Sequence, residues 1–144
     1  MNRSRLFAIA LSATAVAAIS PAIAFGSPNL RTFQSPSKNI GCVITRGSSG
    51  HEARCDIRQH SWHAPPKPRS CHLDYGNGLE VRHSGKGHFV CAGDTVLGQG
   101  RVLPYGKAIQ FGGFRCTSRQ SGMRCVNRKT QHGFRLSRQD AKRF

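Results

Sequence analysis

Acidic side chains are scarce in this sequence. Six Asp and Glu face 22 Lys and Arg, leaving a formal net charge of +16 at pH 7. Asp94, in Cys91-Ala92-Gly93-Asp94-Thr95, has no second acid close in sequence with which to form a carboxylate pair. Its expected role is a turn in which the Asp side chain bonds nearby backbone amides. Large aliphatic side chains are also few, and the chain has one Trp and two Tyr, so a thin core is expected. No C-x-x-C pair occurs, which argues against a zinc site. The absence of a G-x-S-x-G elbow and of a G-x-x-x-x-G-K-[ST] loop removes two common catalytic and phosphate-binding signatures. Neither helix-turn-helix nor zinc-finger spacing is present, so sequence-specific DNA reading is not expected. No motif implies a cofactor, and past residue 24 no run is apolar and long enough to span a membrane.

What is present begins with an export signal. Arg3 and Arg5 precede an uncharged, Ala-rich apolar run over residues 6–19, then Ser20, Pro21 and the triplet Ala22-Ile23-Ala24. A positive start, a short apolar stretch and an A-x-A end describe a secretory signal peptide, with cleavage expected after Ala24. The apolar run falls short of the roughly 20 residues a membrane anchor needs. The expected organisation is a cleaved signal peptide over 1–24, an extended lead-in over 25–38 and one domain over 39–144. The mature protein is expected to be secreted or periplasmic and monomeric.

All six cysteines, Cys42, Cys55, Cys71, Cys91, Cys116 and Cys125, follow the signal segment. An even count in an exported chain implies a disulfide framework, although six cysteines allow many pairings. The simplest is sequential: Cys42–Cys55, Cys71–Cys91 and Cys116–Cys125. A bridge closing about 15 residues is worth roughly 3 kcal/mol in the chain-entropy model.

Ile40, Cys42 and Ile44 alternate as in a strand, and residues 52–57 can return as its partner across a Gly/Ser turn. Pro65, Pro66 and Pro68 make residues 60–70 a loop. Gly76-Asn77-Gly78 reads as a turn. Further strands are expected at 79–83, 88–91, 109–111, 114–118, 123–127 and 134–136. Ser137-Arg138-Gln139-Asp140 resembles a capping box, so a short C-terminal helix to about residue 143 is expected. The expected fold is all-β, a small disulfide-stabilised sandwich or barrel of seven to eight short strands with that helix. The Cys42–Cys55 and Cys116–Cys125 segments also echo each other as Cys, turn, Arg-Cys hairpins.

Four stretches carry a resemblance. They are Phe33-Gln34-Ser35-Pro36-Ser37-Lys38-Asn39-Ile40-Gly41-Cys42, Phe89-Val90-Cys91-Ala92-Gly93-Asp94-Thr95, Leu103-Pro104-Tyr105-Gly106 and Gly133-Phe134-Arg135-Leu136-Ser137-Arg138. On these the chain is similar to a family of small exported bacterial proteins catalogued only as a domain of unknown function. The resemblance implies export and paired cysteines, and it brings no activity or catalytic residues with it.

Residues 115–144 hold nine of the 22 Lys and Arg and a single acid, Asp140. In a hairpin bridged by Cys116–Cys125, Arg115, Arg119, Arg124 and Arg128 would share the face opposite the disulfide. Like charges so close raise the energy of the folded state, and a polyanion would relieve it. Lys129 and Arg135 extend the candidate anion-binding set. Arg suits phosphate and carboxylate oxygens through its planar fork. The bland alternative is a solvated face that keeps the protein soluble.

Seven histidines offer other chemistry. His60-Ser61-Trp62-His63, with His72 beyond, has a metal-like spacing beside three prolines, a weak match better read as loop histidines. His83 and His88 lie on an expected hairpin and could flank a phosphodiester in a ribonuclease-like reaction. Trp62 and Tyr105 sit in Pro-containing loops, as an aromatic contact site or as covers for the core. Three functions follow: a non-catalytic binding module for anionic polymers or surfaces, a protein-partner or inhibitor module, and a His-dependent phosphodiester hydrolase.

Overall fold

A computed structural model gives the fold and describes residues 29–47 and 51–144. The expected signal peptide, residues 25–28 of the lead-in and Ser48-Ser49-Gly50 lie outside the described residues. Among the described residues the protein is all-β, with eleven strands in two sheets. The first sheet contains β1 (Leu30–Gln34), β2 (Ile40–Thr45), β3 (Glu52–Ile57), β4 (Asp74–Arg82), β5 (His88–Ala92) and β6 (Arg101–Val102). Its order is β5-β4-β3-β2-β1-β6, antiparallel except for the parallel β1–β6 pair. The second contains β7 (Ala108–Phe111), β8 (Phe114–Arg119), β9 (Gly122–Asn127), β10 (Gly133–Leu136) and β11 (Ala141–Arg143), in the antiparallel order β11-β10-β9-β8-β7.

One buried cluster draws on both sheets. Strand alternation sends Phe33, Cys42, Ile44, Cys55, Leu79 and Val81 inward from the first sheet, and Phe114, Cys116, Met123, Cys125, Phe134 and Leu136 from the second. Each fully buried Phe contributes about 2–3 kcal/mol by leaving water. The pairing of the cysteines is sequential, and none is free. Cys42 stands directly opposite Cys55, and Cys116 opposite Cys125, each pair 4.1 Å apart between Cα atoms. The Sγ atoms of Cys55 and Cys125 lie 3.7 Å apart, so the two bridges stack between the sheets. Cys71–Cys91 ties the proline-rich segment to β5.

The expected strands are present, and three more join them. β1 comes from the lead-in, β6 from a loop, and β11 from the expected helix. No helix forms in the tail among the described residues. Ser137 does bond the Asp140 backbone N–H through Oγ (3.0 Å), as a cap would. However, the Ser137 N–H also closes onto the Asp140 carbonyl, which makes a hairpin turn and pairs β10 with β11. A helix of so few residues has little stability of its own, whereas the hairpin extends an existing sheet. Gly76-Asn77-Gly78 is not a chain reversal but an irregularity inside β4. There a Cβ at Gly78 would collide with the Cys55 carbonyl oxygen, so glycine permits the close crossing.

Candidate functional site

The inward direction of Cys116 and Cys125 sends the alternate residues of β8 and β9 to the outer face of the second sheet. Arg115, Arg119 and Arg124 are exposed there. The register then adds two cations. Arg124 stands opposite Arg135 on β10, and Arg135 opposite Lys142 on β11. Three like charges thus stand side by side across adjacent strands, roughly 5 Å from one to the next. Asp140 is their counter-charge: Arg135 Nη2 donates to its Oδ2 at 2.7 Å, and Lys142 Nζ lies 3.5 Å away. The hydrogen bond from Arg135 holds the Asp140 carboxyl below the usual carboxylate range, despite some opposition from burial. The guanidinium of Arg124 lies 4.9 Å from the centre of the Phe144 ring. Arg119, Arg124, Arg135, Lys142 and Phe144 enclose a groove of about 240 Å³ that no acidic side chain lines.

The other expected anion-binding residues lie off this groove. Arg115 is one row further along β8, opposite Gln110 and Val126. Arg128 and Lys129 are exposed in the β9–β10 turn, which Asn127 organises by accepting the Lys129 N–H. Lys142, Phe144 and Asp140 did not emerge from the sequence as site residues, because residues 137–143 read as a helix. Read instead as a four-residue turn and a returning strand, the same stretch places Lys142 against Arg135.

The outer face of the first sheet carries cations and acids in pairs. Arg54, 7% exposed, donates from Nε and Nη2 to both oxygens of Asp56 (2.9 and 2.8 Å). Its Nη1 reaches Asp94 Oδ1 at 2.8 Å. Burial works against the Arg54 charge, but the bonds to Asp56 and Asp94 outweigh it and raise its pKa. Arg54 in turn lowers the pKa of Asp94. Asp56 Oδ2 also accepts from Thr95 Oγ1 and from the Val96 N–H, both at 3.1 Å, so the segment after β5 is pinned across the sheet. Asp94 therefore fixes Arg54 rather than only its own turn. A cavity of about 440 Å³ lies beside this network, with Arg58, Asp74 and Asn77 on its rim.

His88 Nε2 and Glu80 Oε1 are 2.6 Å apart, and Arg82 Nη2 donates to the same oxygen at 2.8 Å. The bond to Glu80 raises the His88 pKa against the effect of burial. Burial also opposes ionisation of Glu80, but His88 and Arg82 together lower its pKa. Glu52, beside this group, is raised by burial and by the Glu80 charge. His88 thus commits Nε2 to a buried carboxylate, while His83 is exposed beyond the end of β4. Among the described residues no group of three or more His, Cys, Asp or Glu is placed to hold a metal ion. His60 stacks on Trp62 with ring centroids 3.7 Å apart. Trp62 bonds the Ser137 carbonyl through Nε1 and packs on the core, whereas Tyr105 is exposed. No helix among the described residues is long and apolar enough to cross a membrane.

No curated protein and no solved structure matches the chain. A family model does match, over residues 5–144, which includes all eleven strands and the basic groove. The protein belongs to that family, described as a family of unknown function, DUF6636.

Proposed function

We propose that this protein is an exported, non-catalytic binding module whose ligand is an anionic polymer or an anionic surface. The observation that carries this reading is the cross-strand row Arg124, Arg135 and Lys142, with Asp140 as its counter-charge. Like charges placed directly opposite on adjacent strands destabilise a sheet. The row has a use if a ligand supplies the missing negative charge. On β8 the row continues at Thr117, which Arg119 and Arg115 flank, and the cations of the row itself repeat about every 5 Å across the strands. That repeat suits a chain of phosphates or carboxylates and carries no means of reading a base sequence. Export fits the signal-like first 24 residues and the three disulfides.

The test is a salt titration of purified, oxidised protein against polyphosphate and against uncharged dextran. The wild type is expected to bind polyphosphate, with log K falling linearly as log salt rises, and to ignore dextran. The triple variant R119Q/R124Q/K142Q should bind more weakly, its salt slope reduced by about one unit per lost contact. Binding that is indifferent to salt, or equal in the variant, would refute the proposal.

A further inference from the structure

Another pocket opens beside the β8–β9 turn. The β1–β2 turn, the loop before β7, the end of β8 and the β10–β11 turn converge on it, although they are far apart in sequence. Its volume is about 170 Å³. Through Ser37, Asn39 and Arg138 it shares its wall with a neighbouring cavity of about 330 Å³, to which Lys38 and Arg58 also belong. It is a different place from the basic groove, with which it has Arg119 and Gly122 in common.

Three features distinguish its chemistry. No Asp or Glu lines either cavity, while Arg119 and Arg138 line the first. The remaining polar lining consists of hydroxyls and amides, with the ring of Tyr105, 44% exposed, at its side. Finally, Ser118 lines the pocket at 1% exposure, and its Oγ has no hydrogen-bond partner. Buried hydroxyls are seldom left unpaired in native proteins, and those that are call for an explanation.

The walls are also fixed in advance. The Ser35 N–H donates to the Ile40 carbonyl, the Lys38 N–H to the Ser35 carbonyl, and the Ile40 N–H to Ser35 Oγ. Lys38 is held at φ 56°, a left-handed conformation costly for a side-chain-bearing residue. Asn39 brackets Gln59, donating to its carbonyl and accepting its N–H, both at 3.0 Å. A pocket that needs no ordering on binding loses less entropy to a ligand.

We propose that this pocket binds a single acidic sugar unit, a ring bearing several hydroxyls and one carboxylate. A cavity of about 170 Å³ is on the scale of one six-membered ring, and the adjoining cavity leaves room for substituents on it. The Ser, Asn and Gln side chains match ring hydroxyls as donors and acceptors. The Arg forks match the carboxylate, and no lining acid repels it. The Tyr105 ring offers an apolar surface to the C–H face of a sugar.

The test follows backbone amide resonances of the ¹⁵N-labelled full chain during titration with D-glucuronate, D-glucose or inorganic phosphate. Saturable shifts from glucuronate, centred on residues 35–39, 105, 118–122 and 137–139, are expected at millimolar ligand. Glucose should bind about tenfold more weakly or worse, the loss expected when a charge-assisted bond is absent. Phosphate should leave the Ser118 amide unmoved. R138Q should lose about tenfold in glucuronate affinity for the same reason. S118A should weaken binding while its melting temperature stays level or rises, since the hydroxyl it removes has no partner in the free protein. R124Q/K142Q, which disables the basic groove, should keep its glucuronate binding, so the two proposals fail separately. The inference is overturned if glucuronate gives no saturable shift, if glucose or phosphate binds equally well, or if R124Q/K142Q abolishes the effect.

Discussion

Individual side chains on the first sheet are bound into charge pairs that set a pH dependence. The Glu80 bond raises the pKa of His88 above its ordinary 6.5, so the folded protein holds that proton more tightly than the unfolded chain. The contribution is therefore complete below about 6.5 and is lost as pH rises through the higher folded value. Glu80 is lowered from 4.5, so its contribution is complete above that pH and is lost as pH falls through the lower folded value. Both are present between these limits. The wild type minus H88Q difference in urea midpoint should thus be larger near pH 5.5 than near pH 8.5, conditions on either side of an ordinary imidazole pKa. Equal differences at the two pH values would show that the contact gives no proton linkage. The comparison with H88Q is needed because the excess positive charge of the whole chain also changes with pH. At this scale the sequence was legible where alternation decides. Arg115, Arg119 and Arg124 could be placed outward once Cys116 and Cys125 were placed inward. It was not legible for Arg54 and Asp94, which meet across 40 positions through a loop folding back over the sheet.

Among the elements, hairpins were readable and exceptions to local signals were not. Two of the bridges close antiparallel neighbours, which is why a sequential pairing matched the cysteine spacing. The β10–β11 hairpin and the interior of β4 escaped for one reason: a capping-box pattern and a Gly-Asn-Gly pattern are local preferences, and sheet pairing overrode both. Nor could sequence show that β1 and β6 pair in parallel, since that contact spans the whole first sheet's chain length. The structure also ranks the disulfides by access. Cys42, Cys55, Cys116 and Cys125 are fully buried, whereas Cys91 is exposed beside a loop. Exchange needs a thiolate to reach a sulfur. Mild reductant under native conditions, followed by alkylation and mass spectrometry, should label Cys71 and Cys91 first. The four core cysteines should be labelled only as the protein unfolds. Simultaneous labelling of all six would mean that the stacked bridges open as readily as the outer one.

Across the whole molecule, acidic side chains are segregated while cations are spread over both sheets. Glu52, Asp56, Asp74, Glu80 and Asp94 lie on or beside the first sheet, and Asp140 alone serves the second. This layout separates two explanations of the +16 charge, solubility and binding, because they respond to different additives. Diffuse self-repulsion weakens wherever salt shortens the screening length, from about 30 Å at 0.01 M to about 10 Å at 0.1 M. Sodium chloride should therefore raise the melting temperature of the wild type, and that of R119Q/R124Q/K142Q by somewhat less. A bound polyanion acts instead by mass action, adding about 2.7 kcal/mol at a ligand concentration 100 times Kd. For a domain of this size that is a rise of roughly 10 °C. Polyphosphate at low salt should give a rise of that order in the wild type and little in the triple variant. A polyphosphate rise equal in both proteins would assign the effect to net charge alone. A rise confined to the wild type would locate it at the row where Arg124, Arg135 and Lys142 stand against one another.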